Sequence, residues 1–217
     1  MVWIARAALR VKARDVPGAI RDLSKAAELR PERGMAFARR ANLRRQTGDP
    51  KGALQDYDRA IECRRRAIWF DARGALRREM GDVGGALLDA IEATKSRPEI
   101  AAFWANRGNA EGQLGRDDKA ELSFSKALEL DPELALAYYG RGYTRFRAGN
   151  FQGAVADLDQ CLKRRQQLEA HGLRGLALAK LGQRAKAKEA LQAFLTNAPQ
   201  GHPMRADAER ALGGLGN

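Results

Sequence analysis

Apolar positions along this chain fall at three- and four-residue steps. Ala120, Phe124 and Ala127 form one such stripe, and Tyr139, Tyr143 and Phe146 form another. Steps of this kind put side chains on one face of an α-helix. The helical patterns run for roughly a dozen residues each, and turn residues separate them. Nothing reads as a strand, so the expected class is all-α.

The patterns repeat. The segments GDPKGA (48–53), GDVGGA (81–86), GRDDKA (115–120), GNFQGA (149–154) and GQRAKA (182–187) place a glycine at intervals of 33, 34, 34 and 33 residues. The first unit joins the series with Arg14 at the glycine position and Ala19 at the alanine position. Each unit holds two helical patterns with the glycine turn between them. Pro31, Pro98, Pro132 and Pro199 close four of the units, because proline stops a helix. Small residues recur at one position of the first helix (Ala7, Ala41, Gly74, Gly108, Gly142, Gly175) and at one of the second (Ala19, Ala53, Ala86, Ala120, Ala154, Ala187). Small side chains at facing positions let two antiparallel helices approach closely.

A 34-residue helix-turn-helix period with this punctuation resembles the tetratricopeptide repeat. Residues 101–134 match best, with Trp104, Gly108, Gly115, Ala120, Phe124, Ala127 and Pro132 in phase. The resemblance covers residues 1–201 as six units, 1–33, 34–66, 67–100, 101–134, 135–167 and 168–201. Residues 202–217 form a closing segment, with a helix expected from about Met204 to Leu212 and ended by Gly213-Gly214. A solenoid needs a polar-faced cap over its last interface. The implied architecture is one right-handed α-solenoid domain, 1–217, with an inner groove lined mainly by first helices. The abrupt start at Met1 also fits a piece of a longer protein.

Arginine departs from the family pattern. It stands just before the small residue of the first helix in all six units, at Arg6, Arg40, Arg73, Arg107, Arg141 and Arg174. Four residues later the family's Tyr position holds Arg10, Arg44, Arg77 and Arg145 in four units, and Glu111 and Leu178 in the others. Twelve residues further on, the same four units carry Asp22, Asp56, Asp89 and Asp157, whereas the exceptions carry Ser123 and Ala190. In an antiparallel hairpin these positions lie at similar heights. Arg10–Asp22, Arg44–Asp56, Arg77–Asp89 and Arg145–Asp157 are therefore expected to tie the two helices of each unit.

A net charge of +12 points toward an acidic partner. The charge is carried by the terminal units, while the two middle units are mildly acidic. A groove that tracks a phosphate backbone favours a continuous basic stripe, so this distribution weighs against nucleic acid. Cys63 and Cys161 are far apart and fit a reducing compartment. No apolar run reaches the roughly 18 residues of a membrane span. A soluble, cytoplasmic protein is expected. The basic start, residues 1–14, also mimics an organelle presequence.

No catalytic or metal-binding motif is present, and no cofactor is implied. His171 falls at the aromatic packing position of the sixth unit, and Cys161 replaces a small packing residue. The resemblance implies that the second, fifth, ninth, twelfth and thirteenth positions of a unit face the groove. In the fifth unit these are Leu136, Tyr139, Tyr143, Phe146 and Arg147, and Asn42 and Asn109 share the ninth position in theirs. The Lys/Asn set with which some family members capture a chaperone's C-terminal carboxylate is missing. The expected function is a non-catalytic scaffold that binds a peptide or helix of a partner protein. A basic helical-repeat nucleic-acid binder and the regulatory portion of a larger enzyme stand as alternatives.

Overall fold

A computed structural model describes residues 2–216. Thirteen α-helices follow one another, and no strand occurs among the described residues. They gather into two compact units, Met1–Pro98 and Glu99–Asn217. The first holds three hairpins: α1 (Val2–Lys12) with α2 (Val16–Leu29), α3 (Gly34–Gln46) with α4 (Pro50–Cys63), and α5 (Ala67–Glu79) with α6 (Val83–Ser96). The second holds α7 (Ala101–Gln113) with α8 (Asp117–Leu130), α9 (Ala135–Arg147) with α10 (Phe151–Arg164), and α11 (Leu168–Lys180) with α12 (Arg184–Asn197). α13 (Arg205–Gly214) then packs on α11 and α12. Among the described residues no helix is long and apolar enough to cross a membrane.

The turns inside the hairpins follow from the repeated glycines. Gly48, Gly81, Gly115, Gly149 and Gly182 have φ between +71° and +86°, a region open to glycine at no steric cost. Arg14 adopts φ +60° at the same position of the first unit. Just after the glycine, Asp15, Asp49, Asp82 and Asn150 cap the second helix by accepting the backbone N–H of Gly18, Gly52, Gly85 and Gly153. The cap explains the second glycine: a methyl at Gly52 would lie 2.1 Å from Asp49 Oδ2. The units whose cap is Arg116 or Gln183 make no side-chain cap bond and carry Lys119 or Lys186 at that place.

Small residues let the two helices of a hairpin close on each other. Ala19, Ala53, Ala120, Ala154 and Ala187 are wholly buried. At Gly142 a methyl would sit 3.1 Å from Leu158 Cγ, and at Gly175 one would sit 2.7 Å from Leu191 Cγ.

The expected arginine–aspartate ties form, and they are half of a larger arrangement. Asp56 accepts Arg44 Nη1 at 2.9 Å, as expected, and also takes Nε and Nη2 of Arg40 at 2.9 and 2.6 Å. Arg73 and Arg77 hold Asp89, and Arg141 and Arg145 hold Asp157, in the same way. In the first hairpin Arg6 makes the two-pronged bond to Asp22, and Arg10 stands 3.4 Å away as an ion pair. The recurring first arginine therefore supplies the bidentate contact, sixteen residues ahead of the aspartate. It also reaches backward: Arg40 Nη1 donates to Ser24 Oγ at 2.9 Å, Arg73 Nη1 to Asp58 at 2.6 Å, and Arg141 Nη1 to Ser125 Oγ at 3.0 Å. One guanidinium thus closes its own hairpin and joins it to the one before.

The closing helix differs from expectation at its end. Gly213 and Gly214 are its last residues rather than its stop. Each glycine costs about 1 kcal/mol in a helix, but Ala208, Ala211 and Leu212 pack on the Leu191–Phe194 cluster and hold the turn.

Candidate functional site

Glycines thin the two first helices α7 and α9 where they face each other. Gly108, Gly112 and Gly140, with the ring of Phe124 beneath them, floor an open cleft of about 410 Å³. Its shape is fixed by contact, because a methyl at Gly140 would lie 2.4 Å from Phe124 ring carbons. Thr144, in the same wall, spends its hydroxyl on Gly140 O at 2.9 Å.

Four of the expected groove residues line this cleft: Asn109, Tyr139, Tyr143 and Arg147. Tyr143 is 43% exposed at the mouth. Tyr139 is half-buried, and burial, helped by Glu169, pushes its phenol up to about 12. It remains a neutral hydrogen-bonding group over the physiological range. Arg147 stands 5.8 Å from the Tyr143 ring centroid, donates to Gly112 O at 3.0 Å and pairs with Asp117. Its guanidinium is therefore already engaged in bracing the wall, with one aromatic face beside it.

The other expected residues lie elsewhere. Phe146 meets Phe151 edge-on at 5.4 Å and lines a separate cleft with Leu176, Lys180 and Arg210. Leu136 is half exposed near the start of α9 and lines neither cleft. Asn42 lies on α3, in the Met1–Pro98 compact unit, where its Oδ1 accepts the Tyr57 hydroxyl at 2.7 Å, so a structural bond occupies its amide oxygen. Asn42 also borders an apolar cleft with Ile4, Val11 and Leu43.

Sequence reasoning missed Gln113, Gly112, Gly140 and Phe124 as parts of the α7/α9 cleft. A signal was present: glycine at 112 and 140 falls at positions where other units carry Arg45, Arg78, Arg39 or Leu173. Phe124, which the sequence placed only in phase with the repeat pattern, also packs inside its own hairpin, 3.0 Å from where a Gly108 methyl would stand.

The titratable groups outside the cleft are held by packing. Burial and the nearby Arg174 push the His171 pKa down, and its Nε2 lies 3.1 Å from Gln166 Oε1. His202 Nδ1 accepts the Met204 N–H, and its ring meets Phe194 edge-on at 5.0 Å. Cys161 is wholly buried, which raises its thiol pKa. Among the described residues no group of three or more His, Cys, Asp or Glu is arranged to hold a metal ion.

Comparison with solved structures shows the same fold at low identity. The chain is similar to PilF of Pseudomonas aeruginosa at 20% identity, with 96% of each chain covered and a TM-score of 0.82. It is similar to the APC/C hetero-tetramer Cut9-Hcn1 at 18% identity, with a TM-score of 0.78. That match takes in 97% of this chain and 42% of the other, so the chain spans less than half of that relative. It is similar as well to YrrB, described as a TPR protein with an unusual peptide-binding site, at 20% identity over 87% and 97% of the two chains, with a TM-score of 0.70. No curated protein sequence matches. Tetratricopeptide repeat models match residues 4–68, 101–134 and 139–202. They fall in the register set by the glycine turns and span well over half of the sequence, and the chain belongs to the tetratricopeptide repeat family.

Proposed function

We propose that this protein is a non-catalytic scaffold that captures a peptide or helix of a partner protein, with the α7/α9 cleft as the place where one partner side chain inserts. The tetratricopeptide fold as a class is a protein–protein interaction scaffold. The observation that carries the finer reading is the glycine floor under Tyr139 and Tyr143. An apolar recess ringed by tyrosines and by the amides of Asn109 and Gln113 offers a hydrophobic seat with hydrogen-bonding edges, the combination that concentrates binding energy at interfaces. Arg147 contributes by fixing Tyr143 rather than by waiting for an anion. Phe146, Leu136 and Asn42 belong to other surfaces, and a longer partner segment would have to extend beyond the cleft to reach Phe146. Cys63 and Cys161, both unpaired, support a cytoplasmic setting.

Affinity capture from native lysate with the wild-type chain and with Tyr143→Ala tests the reading. Tyr143 is exposed enough that its loss leaves the helical circular dichroism unchanged. Partners retained by wild type and lost by the variant support the cleft, and an identical set of partners on both overturns it.

A further inference from the structure

The first two hairpins carry a cleft in the same register as the α7/α9 cleft but with different chemistry. Ile4, Ala8 and Val11 of α1 and Leu43 of α3 line an open recess of about 390 Å³. Leu23 of α2 lies behind them and is buried, while Val11 is 42% exposed at the mouth. Ala8 and Val11 stand three units before Asn109 and Gly112. The α1 wall is therefore apolar where the α7 wall is amide and glycine.

The rim of this recess is charged. Lys12 stands where Gln113 borders the α7/α9 cleft, and Arg39 stands where Gly140 does. Both cations are exposed, and among the described residues neither makes a hydrogen bond or an ion pair. No carboxylate lines the recess among the described residues. In the α7/α9 cleft, by contrast, the cation Arg147 is already paired with Asp117. A hairpin ahead of such a cleft does not close it. The α9/α10 hairpin precedes α11 in the second compact unit, yet the α11/α13 cleft keeps about 530 Å³ open, with Phe146 of α9 as part of its wall.

We infer that the α1/α3 cleft binds an acidic peptide of a partner protein, seating one apolar side chain that is flanked by Asp or Glu. Burial of that side chain against Ile4, Val11 and Leu43 supplies the attraction, which is non-directional and grows with the area removed from water. Lys12 and Arg39 have no carboxylate of their own, so they select the sign of the flanks. Asn42 gives its amide oxygen to the Tyr57 hydroxyl, and its amide N–H groups are left to donate to a peptide carbonyl. The inference rests on the scaffold reading for the class of its partner, a protein, and not on the α7/α9 cleft.

The test uses the full chain and a panel of labelled seven-residue peptides with Leu, Ile, Phe or Trp at the centre and an Asp-Glu pair on either side. Fluorescence anisotropy should give saturable binding of at least one of them with a Kd of about 1 mM or tighter. Replacing the central residue with Gly should weaken that binding about tenfold or more, the loss expected when a buried apolar side chain is removed. Replacing the acidic flanks with Lys should weaken it as much. The Lys12→Glu/Arg39→Glu double variant should reverse the preference, losing the acidic peptide and taking the Lys-flanked one. Ala8→Trp, which fills the cleft from an exposed position, should lose both. Lack of saturation across the panel up to about 1 mM would overturn the proposal. So would a Gly-centred peptide that binds as tightly, or an acidic preference that survives the double reversal and so belongs to the net charge of the chain. Self-association of the chain that Ala8→Trp abolishes would overturn it in favour of a second copy as the occupant. None of these outcomes decides the α7/α9 cleft, whose own test is the loss of partners on Tyr143→Ala.

Discussion

Arg107 Nε donates to Glu111 Oε1 at 2.9 Å, one helical turn later in α7, and Ser123 Oγ donates to the other carboxylate oxygen at 2.6 Å. Four hairpins place an arginine where Glu111 stands and an aspartate where Ser123 stands. The fourth hairpin keeps the buried carboxylate and moves it to the opposite helix. In five of the six hairpins one buried anion stands within reach of the recurring arginine, because an unpartnered buried charge is costly; the sixth carries Leu178 and Ala190 at these positions, and its Arg174 pairs with Asp159 of α10 instead.

Relocating the charge should therefore be reversible. Glu111→Arg alone brings two guanidinium groups together without a carboxylate and is expected to destabilise the fold by about 3–5 kcal/mol. Adding Ser123→Asp rebuilds the arrangement of the other hairpins and should recover most of that loss. Urea denaturation of the three proteins measures both steps, and a double variant no more stable than the single one would contradict the interchange.

Asp56 offers the complementary deletion. It is almost wholly buried and accepts from Arg40 and Arg44. Asp56→Ala is expected to cost about 3–5 kcal/mol, since both guanidinium groups lose the carboxylate they share. The exposed Lys25–Glu28 pair at 3.1 Å should by contrast contribute less than about 1 kcal/mol. Thermal melts of Asp56→Ala and Glu28→Ala check the difference.

Arg14 holds a left-handed conformation that the other hairpins give to glycine. A non-glycine residue there carries roughly 1–2 kcal/mol of strain, part of which glycine returns as chain entropy in the unfolded state. Arg14→Gly should raise stability by about 0.5–1 kcal/mol. A lowered melting temperature would mean that Arg14 makes a contact worth more than its strain.

Acidity should act on His171. Burial and Arg174 lower its folded pKa, so the folded state resists protonation while the unfolded chain takes up a proton near pH 6.5. Its contribution to stability is present above that pH and falls as pH drops through 6.5 toward the folded value. Only two histidines occur in the chain, so His171→Gln should flatten the pH dependence of urea stability between about pH 5 and 7. An unchanged slope would place the effect elsewhere.

Four of the recurring arginines are not free to contact phosphate. Arg40, Arg73, Arg141 and Arg145 are largely buried in ion pairs. Single-stranded RNA is expected to show no saturable binding at about 50 mM salt, where phosphate contacts are strongest. Tight binding with a steep salt slope would revive the nucleic-acid reading.

Repetition made much of this legible before any coordinates. Comparing sister units located every hairpin turn and tied Arg44 to Asp56, Arg77 to Asp89 and Arg145 to Asp157. The same comparison left the recurring Arg6, Arg40, Arg73 and Arg141 without a role, because a residue that never varies has nothing to covary with. Their partners lie sixteen residues ahead, across the hairpin, and for Arg40, Arg73 and Arg141 in the preceding hairpin as well. The candidate site was legible only in part. Tyr139, Tyr143, Asn109 and Arg147 share one cleft, yet Phe146, one turn along the same stripe, lines another.

The sequence by itself determined the helices, their pairing and their turns, because helical periodicity, proline stops and the positive φ of Gly48 and its counterparts act over a few residues. Only the tertiary structure decided which side chains border a cavity and which arginines remain available. Those outcomes depend on how closely neighbouring helices approach. At Gly140 that approach is set by the ring of Phe124 from another helix, and at Arg147 the charge is taken by Gly112 and Asp117, 35 and 30 residues away along the chain.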